Sequence, residues 1–135
     1  MTLSNPLAEE YFKELQILVV DDAIDSVELL SIYLSQYGAA VTGATSVADA
    51  IAKFDQLQPH LLIADIGFPG EDGWSLIHRI RARSPQQGGL VPAIAVTAYA
   101  QKEARFRSLQ AGFQYCLTKP INLDELLTAI CSLTG

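Results

Sequence analysis

Five short apolar runs, Ile17 to Val20, Ala40 to Ala44, Leu61 to Ala64, Ala93 to Val96 and Tyr115 to Leu117, recur at rather even intervals along the chain. No other feature constrains the fold as strongly. Most of the runs are continuously apolar instead of alternating, as strands buried on both faces of a parallel sheet are. Helical patterns fill the intervals, and right-handed crossovers would place those helices on both sides of one sheet. The predicted class is therefore α/β, a doubly wound (βα)5 unit. Strand order stays open at this point. Ligands of such sheets bind beyond the carboxyl ends of the strands, at a topological switch point, so the strand ends are where functional residues are expected.

The helices can be bracketed from their caps and apolar faces. Asp25 and Glu28 have capping-box spacing and predict the start of the first helix, with Val27, Leu30 and Leu34 on one face and Gly38 as its stop. Ser46 with Asp49 opens the second, carried by Val47, Ala50, Ile51, Phe54 and Leu57 as far as Pro59. The third is expected from Trp74 to Arg83 on Trp74, Ile77 and Ile80, capped by Asp72 and ended by the loop Ser84 to Gly89. A fourth, Gln101 to Ala111, is polar except for Phe106 and Leu109 and is closed by Gly112. Asn122 with Glu125 caps the fifth, whose apolar positions are Leu123, Leu126, Leu127, Ile130 and Leu133. Asn5 followed by Pro6 resembles a helix start. Residues 1–15 thus read as an N-terminal extension with a short helix over 6–14, and residues 16–135 as the domain.

A chain of 135 residues has room for one domain. Half of it is hydrophobic, 18% is charged and the mean hydropathy is +0.23, which is remote from the composition of disordered chains. Fifteen acidic against nine basic side chains give a net charge of −6, the opposite of the basic footprint that direct nucleic-acid binding needs. Cys116 and Cys131 are too far apart for a CxxC pair, and two cysteines are too few for a secreted disulfide scaffold. A reducing cytoplasm is the expected compartment. No stretch approaches the ~18 uninterrupted apolar residues of a membrane span, and the N-terminus lacks the pattern of a signal peptide, so no membrane contact is expected.

Chemically useful residues gather at the strand ends. Asp21 and Asp22 follow the first run, Asp65 the third, Thr97 the fourth, and Lys119 and Pro120 the fifth. Each alone has an ordinary explanation, such as an aspartate capping the next helix. Convergence of three carboxylates, a hydroxyl and an ammonium on one edge does not. Crowded carboxylates repel and raise at least one pKa unless a cation intervenes. Magnesium, a hard ion that takes carboxylate and phosphate oxygens, would resolve the repulsion. A lysine and a hydroxyl would then suit the remaining oxygens of a phosphoryl group. The chain has neither GxxxxGK[ST] nor a GxGxxG turn after its first strand. A carboxylate could itself accept the phosphoryl group, and Asp65 is the best placed.

These motifs, the acidic pair in Ile17-Leu18-Val19-Val20-Asp21-Asp22, Asp65 in the run Asp65-Ile66-Gly67-Phe68-Pro69-Gly70-Glu71-Asp72-Gly73, Thr97-Ala98 and Lys119-Pro120, resemble the receiver domain of two-component response regulators. The resemblance runs from about Gln16 to Leu133. It implies a flavodoxin-like five-stranded parallel sheet of order 2-1-3-4-5. It further implies a phosphorylation-dependent switch and not a turnover enzyme. Asp65 would accept a phosphoryl group from a sensor histidine kinase or a histidine phosphotransfer protein, with a further protein, not identified by the sequence, downstream. By the same resemblance Asp22, Asp65 and the Gly67 carbonyl would bind Mg2+ with help from Asp21. Thr97, Ala98 and Lys119 would form the phosphoryl-binding switch, and the Lys119–Pro120 bond would be cis.

Two positions depart from or tune that pattern. Receivers usually carry a Tyr or Phe three residues before the lysine. Cys116 stands there, and Tyr115, one residue earlier, is expected on the other face of the strand. Gly67 and Tyr99 occupy the positions that flank in-line water in the family, and together predict a long-lived phosphorylated state. A magnesium phosphohydrolase using Asp65 as nucleophile is the alternative, but Gly67 stands where such enzymes generally need a second carboxylate. A flavodoxin-like electron carrier is opposed by the anionic loop Asp21 to Asp25. His60 and His78 read as surface residues, Trp74 as a packing residue and Cys116 as a small buried hydrophobe.

Overall fold

Every apolar run is a strand: β1 Gln16–Val20, β2 Ala40–Ala44, β3 Leu61–Asp65, β4 Ala93–Thr97 and β5 Tyr115–Thr118. The helices between and after them are α1 Ile24–Ser35, α2 Val47–Leu57, α3 Gly73–Arg81, α4 Lys102–Ala111 and α5 Leu123–Thr134. The computed structural model describes residues 12–67, 73–98 and 102–134. The Asp72 cap, Tyr99 and most of the N-terminal extension lie outside these residues. Of the helix expected over 6–14, the described part, Phe12 to Glu14, is a turn closed by the Leu15 N–H on the Phe12 carbonyl at 2.9 Å.

All strand pairs are parallel, in the order β2-β1-β3-β4-β5. The fold is a flavodoxin-like doubly wound sandwich. The chain steps outward from β1 to β2 and then returns across β1 to β3, so the order reverses between β1 and β3. The crevice of such a sheet opens at that point, over the carboxyl ends of the strands. Asp21 follows one of the two strands and Asp65 ends the other.

Period-two alternation divides the core into two layers. Leu18, Val20, Leu62, Ala64, Ala93, Ala95 and Cys116 pack with Phe54 of α2 and Leu76, Ile77 and Ile80 of α3. Ile17, Val19, Leu61, Ile63, Ile94, Val96 and Leu117 face the other way, against Leu30 and Leu34 of α1 and Leu126, Ala129 and Ile130 of α5. β3 and β4 are buried along their whole length, while β2, at the edge, is buried only at Ala44. A Cβ at Gly43 of β2 would collide with Val27 of α1, so the glycine lets that helix settle onto the edge strand. Among the described residues no helix is long and apolar enough to cross a membrane.

Two caps are as the sequence predicts. Ser46 Oγ accepts the Asp49 N–H at 3.1 Å, and Asn122 Oδ1 accepts the Glu125 N–H at 3.0 Å. The first helix corrects the reading. Asp25 lies inside its first turn, the cap residue is Ala23, and no side chain caps it. The carboxylate that shapes this entry is Asp21, whose Oδ1 accepts the Ala23 N–H at 2.9 Å, while the Ala23 carbonyl takes the N–H groups of Ser26 and Val27. α3 stops at Arg81, two residues earlier than expected, and a single 3-10 turn at Pro85–Gln87 follows. In α4 the burial is the reverse of the apolar pattern: Phe106 and Leu109 are exposed, and Ser108 is the buried residue. Leu123 of α5 is likewise exposed.

Candidate functional site

The β1, β3 and β5 ends converge on one cluster. Asp21 lies just past β1, Asp65 is the last residue of β3, and Lys119 lies just past β5. The Lys119 ammonium bridges the two carboxylates, 3.0 Å from Asp21 Oδ2 and 3.0 Å from Asp65 Oδ2. Each aspartate spends its other oxygen on its own chain: Asp21 Oδ1 accepts the Ala23 N–H, and Asp65 Oδ1 accepts the Gly67 N–H at 2.9 Å. Both are buried, at 5% and 9% exposure, so these pairings replace the water that the carboxylates have lost.

Asp22 completes the group from the exposed side. One carboxylate oxygen from each of Asp21, Asp22 and Asp65 lies within 4.8 Å of the others. Desolvation, followed by a hydrogen bond and repulsion from Asp21 and repulsion from Asp65, pushes the Asp22 carboxyl above its ordinary value. Lys119 shifts in the complementary direction. Burial pulls its pKa down, but hydrogen bonds to Asp65 and Asp21 outweigh that and raise it, which keeps the ammonium charged. One ammonium faces three carboxylates, and the donor set is all hard oxygen. Such a set fits a small divalent cation such as magnesium.

The neighbouring residues are set by the same sheet edge. Thr97 ends β4, fully buried, in register with Thr118, and its carbonyl accepts the Lys119 N–H at 2.7 Å. Ala98, the next residue, is exposed. The Lys119–Pro120 peptide bond is cis. Gly67 is exposed beside Asp65. Cys116 is buried with Ala95 in the core layer of α2 and α3. Tyr115 points away from it and donates its hydroxyl proton to Ser132 Oγ of α5 at 3.3 Å. Asp49 does not belong to the cluster; on α2 it pairs with Lys53 at 3.0 Å.

One part of the site was not legible in the sequence. A crevice of about 350 Å³ runs from the carboxylates between α1 and α5, lined by Leu29, Leu30, Tyr33, Ile121 and Leu123, with Asp21, Asp65 and Lys119 at one end. Burial pushes the Tyr33 hydroxyl up to about 12. Beside it α1 exposes Ile24, Leu29 and Ile32. The signal was present as apolar residues beyond the Val27, Leu30, Leu34 face, which that face alone does not require.

The family model for the response regulator receiver domain matches residues 17–131. An uncharacterized 14.6 kDa protein of the sodA1 3' region of Leptolyngbya boryana is 40% identical over 117 residues, which is 87% of this chain and 88% of that one. The sensor histidine kinase RcsC of Salmonella typhi is 34% identical over 113 residues, 84% of this chain, which spans only 12% of the kinase. Among solved structures, the receiver domain of the Francisella response regulator 1452 superposes with a TM-score of 0.80 at 25% identity, covering 90% of this chain and 97% of that domain.

Proposed function

Because the chain belongs to the response regulator receiver family, the receivers of two-component signalling, we propose that it is a phosphoaspartate switch. Its phosphoacceptor is Asp65, and its donor is a sensor histidine kinase or a histidine phosphotransfer protein. The observation that carries the reading is the Lys119 bridge between Asp21 and Asp65 beneath an exposed Asp22. It combines a nucleophilic carboxylate, a metal-type oxygen cluster and a fixed positive charge within one hydrogen-bonded unit.

In this reading an Asp65 oxygen forms a bond to phosphorus as the phosphorus–nitrogen bond of the donor's phosphohistidine breaks, and the imidazole leaves. Asp21, Asp22 and Asp65, with the Gly67 carbonyl, would hold Mg2+, which supplies charge neutralisation to the phosphoryl oxygens. Lys119 gives its ammonium to one of those oxygens, and Thr97, with the Ala98 backbone beside it, takes another. Movement of Thr97 then carries the change toward α4. Cys116 stands where an aromatic residue usually answers that movement, so the answer must come from other groups. The exposed apolar residues of α1 beside the crevice favour a protein donor over a small phosphate ester, because apolar surface of this kind marks protein contact.

The same cluster could in principle serve a phosphohydrolase, and turnover separates the two readings. Incubated with acetyl phosphate and magnesium, the protein should take up one phosphoryl group per chain, visible by intact mass and labile to base. Asp65→Asn should take up none, since an amide is not a competent nucleophile. Labelling that survives the substitution overturns the assignment of Asp65. Release of many equivalents of phosphate per chain overturns the switch.

A further inference from the structure

Charge is unevenly distributed along this acidic chain. Six of its nine lysines and arginines, Arg79, Arg81, Arg83, Lys102, Arg105 and Arg107, fall within residues 73–111, where Glu103 is the one acidic residue. The segment comprises α3, β4, α4 and their connections. Some of these cations serve the fold. Arg81 donates to the Gly89 carbonyl at 2.9 Å and to the Gly112 carbonyl at 3.1 and 2.8 Å, and Arg83 grips the Asp55 carboxylate at 2.7 and 2.8 Å.

Arg107 is placed differently. Its guanidinium lies over the Trp74 ring, 3.9 Å from the centroid. The indole beneath it is fixed, since Trp74 Nε1 donates to Ser108 Oγ at 3.2 Å and Ser108 donates in turn to the Ala104 carbonyl at 2.7 Å. Stacking on an aromatic face uses the plane of a guanidinium and leaves its N–H edge for a carboxylate. That edge borders a cleft of about 390 Å³ between α3 and α4, lined by Trp74, Ser75, His78, Arg107, Gln110 and Ala111. Among the described residues that line it there is no carboxylate. The cleft therefore offers hydrogen-bond donors, one fixed cation and an aromatic wall, in the basic sector of an acidic molecule.

We propose that the α3–α4 cleft docks an acidic segment of a partner protein, with a carboxylate side chain seated on Arg107 above Trp74. A nucleic acid is the poorer occupant. The net charge of −6 repels an extended phosphate backbone, whereas a short acidic segment meets only the local positive field. The site is separate from the carboxylate cluster, and the proposal does not depend on phosphorylation of Asp65.

An oligoglutamate peptide is the probe, titrated into the full chain by calorimetry and by NMR of the Trp74 indole N–H, with oligolysine and oligodeoxythymidylate alongside. Oligoglutamate should bind, shift the indole resonance and weaken as salt is added. Arg107→Glu should weaken it by about tenfold or more, in line with loss of a charge-assisted contact. Gln110→Glu, which places a repelling carboxylate in the cleft without touching the Arg107–Trp74 contact, should do the same. Lys13→Glu makes the same charge change as Arg107→Glu at an exposed position elsewhere and should cost less than about twofold. An unmoved Trp74 resonance, an equal loss in Lys13→Glu, retained affinity in Gln110→Glu, or tighter binding of oligodeoxythymidylate at Trp74 would each overturn the proposal.

Discussion

Asp22 is the residue at which the site stores unfavourable charge. Its carboxyl is exposed, yet residual desolvation, Asp21 and Asp65 together hold its pKa above 3.8. In a fold where this pKa is raised, the folded state binds the proton more tightly than the unfolded chain does. Below 3.8 both states are protonated and Asp22 contributes nothing. As the pH rises through the folded value the ionised carboxylate becomes a cost to the fold, and the cost is complete at neutral pH. Asp22→Asn should therefore raise the melting temperature at neutral pH in chelator-treated buffer, and the gain should vanish below 3.8. Thermal melts across that range check it. A gain of the same size at both ends would mean that charge is not its source. Frustration of this kind at a cleft is a common mark of a functional site.

Gly67 poses a kinetic question at the same scale. Its N–H is committed to Asp65 Oδ1, and it offers no side chain to orient a water toward a phosphoryl group on Asp65. Hydrolysis of an acyl phosphate gains from positioning of the attacking water. Gly67→Asn, with a carboxamide on this exposed residue, should speed dephosphorylation by about tenfold in a pulse-chase with acetyl phosphate, an effect of the size that a positioned polar group supplies. An unchanged lifetime would place the control of hydrolysis elsewhere, with Tyr99 as the next residue to change.

At the scale of elements, the strands and the span of α4 were legible and the buried face of α4 was not, for one physical reason. A strand buried on both faces must be apolar throughout, so β1, β3 and β4 announce themselves as runs. A helix declares itself by an apolar stripe only if apolar packing holds it. α4 is held instead by polar contacts: Ser108 under Trp74, and Arg81 on the carbonyl of Gly112, which follows its last turn at φ 128°. Phe106 and Leu109, the apolar exceptions in its otherwise polar sequence, are exposed. The misplaced cap of α1 has a similar origin, because Asp25 fits the local spacing while Asp21, tied to Lys119 across the sheet, shapes the turn. Local pattern cannot register that long-range bond. Asp21, Asp65, Thr97 and Lys119 could be placed together because each closes or follows a strand; the crevice beside them depends on how α1 and α5 splay, and so could not.

This dependence on polar contacts makes α4 sensitive to loss of the hydrogen bond between Trp74 and Ser108. Trp74→Phe keeps an aromatic ring but removes the donor to Ser108, and a neutral hydrogen bond contributes about 1 kcal/mol. Amide exchange across Lys102 to Ala111 should accelerate by roughly fivefold, while β1 and β3 stay protected. Uniform acceleration through the sheet would show that Trp74 supports the whole core.

For the whole molecule, the carboxylate edge and the apolar rim of α1 form one end, and the basic α3–α4 cleft faces elsewhere. The two surfaces can thus be tested apart. Leu29 and Ile32 are 70% and 63% exposed, so Leu29→Ser or Ile32→Ser should leave the fold and the labelling by acetyl phosphate unchanged. Transfer from a phosphohistidine protein should slow by about tenfold, the range of an anchor residue at an interface. Equal rates from both donors, in the variant and in the original chain, would remove α1 from the donor surface.

The seating of Trp74 has an optical consequence as well. It is the chain's one tryptophan, so ultraviolet emission excited at the red edge of absorption arises from a single indole in the α3–α4 seam. A guanidinium over its ring and a hydroxyl on its nitrogen set the electric field in which that indole relaxes. Any event that slides α4 against α3, whether it begins at Asp65 or in the cleft, changes this field and so the colour and yield of the emission. The protein carries its own dye at the joint between the helix that follows the Asp65 strand and the helix that follows the Thr97 strand.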